Sequence, residues 1–137
     1  MSSFIILCLS IICILFSGTN KAYVALQGLD QVGIVDVTSG EIDIVEIDYI
    51  AMSDRGEMMN TPHFIVIDEI NRYWFVTTIS SGYVGRYHLD TNEFIDKILV
   101  DDSPALMVLN EEEKKLYVSR MMPMGGMMMG SESTIVQ

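Results

Sequence analysis

The chain has 137 residues, half of them apolar, and a formal net charge of −11. A surface this acidic excludes nucleic acid and anionic lipid headgroups as partners, because both need clustered Lys and Arg. On length alone the residues suit one domain.

Residues 1–20 carry no charged side chain, and residues 4–16, FIILCLSIICILF, form an apolar run interrupted only by Ser10. The run is short for a bilayer span of about 20 residues but suits the apolar part of a secretory signal. Small polar residues follow at Ser17, Gly18, Thr19 and Asn20, offering a cut after Gly18 or Ala22, though no clear small-x-small site follows the run. This predicts an exported protein, periplasmic or extracellular. An uncleaved run is a membrane anchor, and a lipid on Cys13 is a further alternative; no Lys or Arg precedes the run. Cys8 and Cys13 both lie inside it. Its removal leaves no disulfide, thiolate metal site or cysteine nucleophile.

Strand signals begin at once after it, over 21–26, 31–37 and 41–48, with a tight turn at Thr38, Ser39 and Gly40. A polar, Met-containing segment, YIAMSDRGEMMNT, fills 49–61. Residues 62–100 then hold four β-branched and aromatic runs, at 64–67, 73–79, 83–89 and 93–100. Turn-prone pieces at 68–72, 80–82 and 90–92 separate them. This is the pattern of an antiparallel meander.

The meander repeats. PALMVLNEEEKKLYVS at 104–119 matches PHFIVIDEINRYWFVT at 62–77 under a shift of 42 residues. Val66 meets Val108, Asp68 meets Asn110, Arg72 meets Lys114, Phe75 meets Tyr117 and Val76 meets Val118. A partial copy precedes both, with 22–25 against 74–77 and Val32-Gly33 against Val84-Gly85, a shift of 52. A unit of about 40–45 residues with four strands is a β-propeller blade. The fold class is therefore all-β, with about two and a half blades of four antiparallel strands, the pieces being 21–48, 62–103 and 104–137. The ring is incomplete, since closure takes at least about four blades, and the chain reads as the N-terminal portion of a protein of roughly 300 residues. The first piece lacks its first strand, which propellers often borrow from the other terminus. STIVQ at 133–137 reads as the start of the third blade's third strand.

The order of Pro, short strand, Asp/Asn turn, Lys or Arg, then aromatic-Val-small resembles the YVTN-type (YncE-like) β-propeller repeat. The matching segments are Tyr23-Val24-Ala25-Leu26, Phe75-Val76-Thr77-Thr78 and Tyr117-Val118-Ser119-Arg120, none of them a literal YVTN. The resemblance spans roughly residues 21–119 and implies a fold more than a function.

Two segments interrupt the repeat, 49–61 and 121–133 (MMPMGGMMMGSES). Alternating strand direction puts both connections on one rim and the tight turns on the other. Insertions gathered on one face of a repeat scaffold mark its working side. Met52, Met58 and Met59 sit in the first insertion, followed by His63. Met121, Met122, Met124, Met127, Met128 and Met129 crowd the second. Flexible thioethers make adaptable apolar contacts with a protein partner or small ligand. They are also soft ligands that select Cu(I), with imidazole as a co-ligand. A Gly/Met stretch without a specific role is the third alternative. Copper-dependent nitrous oxide reductase holds its metal in a propeller with several His around the channel; this chain offers His63 alone there, so that activity does not carry over.

The sequence contains no Gly-x-Ser-x-Gly, His-Glu-x-x-His or phosphate-binding glycine loop. Asp30, Asp36, Asp54, Asp101 and Asp102 are candidate ligands of a lactonase-like site, set against their reading as solvated turn residues. His88 reads as solvent-facing, residues 111–115 as a charged outer turn, and Trp74 as packing between blades. Three functions stand in order. The first is a non-enzymatic exported binding or scaffold protein using the Met-rich rim. The second is a copper metalloprotein, and the third a lactonase-like or dehydrogenase-like enzyme.

Overall fold

The structure is a computed structural model that describes residues 15–16, 20–50, 59–101, 103–121 and 134–136. Three antiparallel sheets follow one another along the chain. The first is ordered β1 (Leu15–Phe16), β2 (Lys21–Leu26), β3 (Gln31–Asp36), β4 (Ile42–Glu46). The second runs β5 (Pro62–Asp68), β6 (Tyr73–Thr78), β7 (Tyr83–His88), β8 (Phe94–Leu99). The third contains β9 (Pro104–Asn110), β10 (Lys115–Arg120) and β11 (Thr134–Val136). These are successive propeller blades, and the ring they begin is not closed.

The sequence repeat is a repeat of register. Val76 stands opposite Ile65 and Gly85, Val118 opposite Met107, and Val24 opposite Gly33. The shifts of 42 and 52 residues therefore relate strand pairs as well as letters. Turn chemistry repeats too. The Asp68 carboxylate accepts the Asn71 amide at 2.9 Å, and the Asn110 side chain accepts the Glu113 amide at 3.1 Å. Arg72 and Lys114 then take the left-handed conformation, with φ of 60° and 54°. Gly40 and Asn92 share the same left-handed place in the outer hairpins.

The small residue of the aromatic-Val-small motif has a physical role. In β5 two residues, His63 and Phe64, stand against one in β6, a bulge that recurs between β9 and β10. A bulge frees a backbone amide. The Thr77 hydroxyl accepts the Phe64 amide at 3.0 Å and donates to the Ala105 carbonyl of the next blade at 2.9 Å. Ser119 accepts the Leu106 amide at the same 3.0 Å.

The core lies between sheets. Tyr23, Val32 and Ile34 of the first pack on Ile65, Trp74, Val76 and Tyr87 of the second. Trp74 is fully buried, stacked on Tyr87 with ring centroids 4.1 Å apart and tilted against Tyr23 at 5.6 Å. Packing between blades is thus what Trp74 does. Val66 and Val84 of the second sheet meet Met107, Leu116 and Val118 of the third.

Two features depart from expectation. The first blade does not lack its inner strand among the described residues. Leu15–Phe16 fills that place, pairing with Tyr23 and Ala22. An apolar run suits a strand as well as a signal, so hydropathy alone does not separate the two. Tyr49, assigned to the rim insertion, is buried instead. Its ring lies over Gly85 beside Tyr83 and Phe94. Lys97 donates to the Tyr49 carbonyl and sits 4.5 Å from the Tyr83 ring centre.

A methyl group built on Gly85 would stand 1.6 Å from Tyr49 Oη and 2.4 Å from its Cζ, whereas one on the repeat-equivalent Gly33 meets only ordinary contacts beyond 3.6 Å. Gly85→Ala should cost about 1–3 kcal/mol, the scale of overpacking. Gly33→Ala should stay within about 1 kcal/mol of the parent. Urea midpoints of the two variants check this, and equal midpoints would remove Tyr49 from its place over Gly85.

Candidate functional site

The candidate site is the rim that carries the long connections. Its frame is the passage from blade one to blade two. A 3₁₀ turn at Gln27–Leu29 ends at Asp30, which takes φ of 53° where the next blade has Gly82 at 76°. Asp tolerates this conformation better than most residues. Its carboxylate is buried and accepts the amides of Asn60 at 2.9 Å and Thr61 at 2.8 Å. The Asn60 amide group adds a bond to the Ile47 carbonyl at 2.8 Å. Asp30 is therefore an anchor, not the solvated turn residue the sequence implies. Its turn-like neighbours, Asp-Gln and Leu-Asp, gave no sign of the partner 30 residues away.

The anchored strand enters β5 beside the β6–β7 loop. The Ile79 amide donates to the Thr61 carbonyl at 3.0 Å, and the Thr61 and Ser80 hydroxyls are 2.7 Å apart. Met59, just before the anchor, is 40% exposed. His63, just after it, is half-buried, with Nδ1 2.5 Å from Gln27 Nε2. Gln27 and Nδ1 share one hydrogen bond, and which of them donates follows the imidazole tautomer. Burial holds the ring below its ordinary pKa. The second insertion leaves from the same rim. The Met121 amide donates to the Ser103 carbonyl at 3.0 Å, and Met121 is 51% exposed.

Met59, His63 and Met121 are thus on the rim, while Met52, Met58, Met122, Met124, Met127, Met128 and Met129 lie outside the described residues. Among the described residues, no three His, Cys, Asp or Glu side chains gather as a metal-holding group. Asp36 accepts the Thr38 and Ser39 amides at 2.8 Å each, which lowers its pKa. Asp101 is exposed, and Asp54 and Asp102 lie outside the described residues. His88 is exposed beside Tyr73, as expected. Arg86 forms a two-bonded pair with Asp96, at 3.0 and 2.6 Å, and its guanidinium sits 5.1 Å from the Tyr73 ring centre.

A groove of about 260 Å³ opens between blades two and three, lined by Tyr73, Phe75, Arg86, Ile98, Leu109 and Lys114 among others. It includes the Asp68 and Glu111 turns and so lies toward the rim of tight turns, away from the methionines. Sequence reasoning missed it because it joins residues of two repeat units that no single motif contains.

No family model and no curated protein matches the chain. Solved structures do. Virginiamycin B lyase from Staphylococcus aureus aligns at TM-score 0.60 and 11% identity, over 77% of this chain and 32% of that one. A streptogramin B lyase aligns at TM-score 0.62 and 13% identity, over 78% and 33%. The β-propeller domain of Myceliophteria thermophila Cps50 (Swd1) aligns at 0.58 and 18%, over 74% and 32%. The likeness shows a β-propeller fold, and the chain spans about a third of the length of these neighbours.

Two outcomes test the rim. Asp30→Ala should cost about 2–3 kcal/mol, since it strips two buried amides of a charged acceptor. Asp30→Gly should be no less costly than about 1.5 kcal/mol even though it relieves the backbone; a more stable Asp30→Gly chain in urea titration would dismiss the anchor. The neutral His63 ring is favoured in the fold, so the unfolded chain takes up the proton first as pH falls. The stability tied to this ring is full above about pH 6.5 and is lost as pH falls through that value toward the lower folded one. The urea midpoint should drop between pH 7 and pH 5, and His63→Gln should flatten that drop.

Proposed function

We propose that this chain is a non-enzymatic binding or scaffold propeller of the YVTN type, exported from the cytoplasm, whose Met-bearing rim contacts a protein partner or small ligand. The propeller fold is consistent with a binding or scaffold role, and its neighbours include both a lyase and the Cps50 (Swd1) propeller. The carrying observation is the placement of exposed Met59 and Met121 at the roots of the two long connections of one rim. Exposed thioethers offer apolar area that adapts to a partner's shape. The YVTN-type assignment draws support from the Thr77 and Ser119 hydroxyls, which serve one bulge in two blades. Export rests on the apolar run at 4–16.

The experiment is a selection of displayed peptides against the full chain. Replacing Met59, Met121, Met122, Met124, Met127, Met128 and Met129 together by Ser should weaken the selected binders about tenfold or more, equivalent to about 1.4 kcal/mol. Replacement by Leu should retain them. Binders indifferent to the Ser variant would overturn the rim reading.

A second reading, a Cu(I) site of His63 with the loop methionines, has one observation in its favour. Gln27 holds Nδ1, so an amide flip lets Gln27 accept Nδ1–H and presents Nε2 to a metal, the arrangement that orients metal-bound imidazoles. Titration with Cu(I) under reducing conditions decides it. Saturable binding lost in His63→Gln supports copper; binding absent, or unchanged by that substitution, removes it.

A further inference from the structure

The two interfaces between blades follow one pattern but are filled differently, and the repeat gives the difference residue by residue. In the first interface Tyr23 and Ile34, opposed across β2 and β3, meet Trp74 of the next blade. All three are at most 2% exposed. The shift of 52 carries Tyr23 and Ile34 onto Phe75 and Arg86, which are likewise opposed across β6 and β7. The shift of 42 carries Trp74 onto Leu116. An indole is thus exchanged for an isobutyl group, and a buried isoleucine for a guanidinium-bearing chain. The groove of about 260 Å³ opens where these exchanges fall, with Phe75, Arg86 and Leu116 in its lining. A concave site with an apolar floor and a few convergent polar groups is the form that holds small molecules.

The charges in the lining select the ligand. Arg86 is spent on Asp96 through two hydrogen bonds, and its guanidinium sits over the Tyr73 ring. Asp68 holds its carboxylate in place by accepting two hydrogen bonds from Asn71. With Glu111 and Lys114 of the next turn, the lining has three carboxylates against two cations, a net charge of −1. The whole chain, at −11, adds a field of the same sign. An anion is repelled by both, whereas a single positive charge neutralises the groove. Its volume lies below the ~300 Å³ at which drug-sized pockets begin, so the ligand is smaller than those. We infer that the groove between blades two and three binds a small organic cation, an amine carrying one aromatic or branched apolar group. Its ammonium lies toward Asp68 and Glu111, and its apolar part lies against Phe75 and Leu116. The site is on the rim of tight turns and does not depend on the function proposed for the Met-bearing rim.

Isothermal titration of the full chain with phenethylammonium, 2-phenylethanol and phenylacetate tests it, since the three share a ring and differ in charge. Phenethylammonium should bind saturably and most tightly, with the neutral alcohol weaker and phenylacetate weakest. Glu111→Gln, at an exposed position, should weaken the amine about two- to fivefold, the scale of a solvent-exposed ion pair, and leave the alcohol unchanged. Leu116→Trp copies the first interface, so it should fill the groove and abolish binding of all three while the chain still unfolds cooperatively in urea. Should that variant lose its cooperative transition, Ile98→Trp replaces it. Ile98 lines the same groove at a position 42% exposed, and the bulkier ring there should give the same loss. No saturable binding of the amine overturns the inference. So does phenylacetate bound as tightly as the amine, or amine binding that either Glu111→Gln or the groove-filling substitution leaves unchanged.

Discussion

The structure depends on one constraint: where two blades meet, the apolar faces of both sheets must be buried against each other. Side chains alternate along a strand, so each blade carries two apolar sets, one for each neighbour. Trp74 shows the constraint at its most demanding. It fills the space between Tyr23 of one blade and Tyr87 of its own, and no exposed surface remains to it. Burial of an aromatic ring of this size contributes several kcal/mol, of the order lost when Phe or Trp is truncated to Ala, about 3–5 kcal/mol. In the next interface Leu116 takes the equivalent place, and Met107 and Val118 complete a smaller core. The two interfaces are therefore alike in pattern and unlike in volume.

The rim follows from the same logic. Inner strands must start where the previous blade ends, so the crossing segment has to be pinned against two sheets at once. Asp30 pins it by offering a carboxylate to two successive amides, and Tyr49 does so by lying on Gly85. Met59 emerges at the surface immediately beside buried Asn60, where the Asp30 anchor begins.

Much of the fold was legible in the sequence because it is periodic. Pro62 and Pro104, Asp68 and Asn110, Phe75 and Tyr117 mark equivalent places, and the strand registers obey the same shifts. What was not legible is whatever joins different units. Asp30 looks like a turn residue because its partners are 30 positions distant. Tyr49 looks like part of a polar loop because its neighbours Asp48 and Ile50 say nothing of Gly85. The 3₁₀ turn at Gln27–Leu29 escaped because three residues hold too little pattern. Leu15–Phe16 escaped for the opposite reason, being embedded in a run whose hydropathy has a simpler explanation. Of the rim, His63 and the methionines were visible as residue types. The hydrogen bond between Gln27 and His63 Nδ1 was not, since Gln27 belongs to the preceding blade.

Thr77 has a consequence for how such a molecule grows. Its hydroxyl serves its own bulge and then reaches forward to the Ala105 carbonyl, while Ser119 turns back to the Leu106 carbonyl at 3.4 Å. A blade so equipped carries a donor that reports whether its successor has arrived. As the polypeptide leaves the ribosome, each new sheet can lock the one before it without waiting for the last.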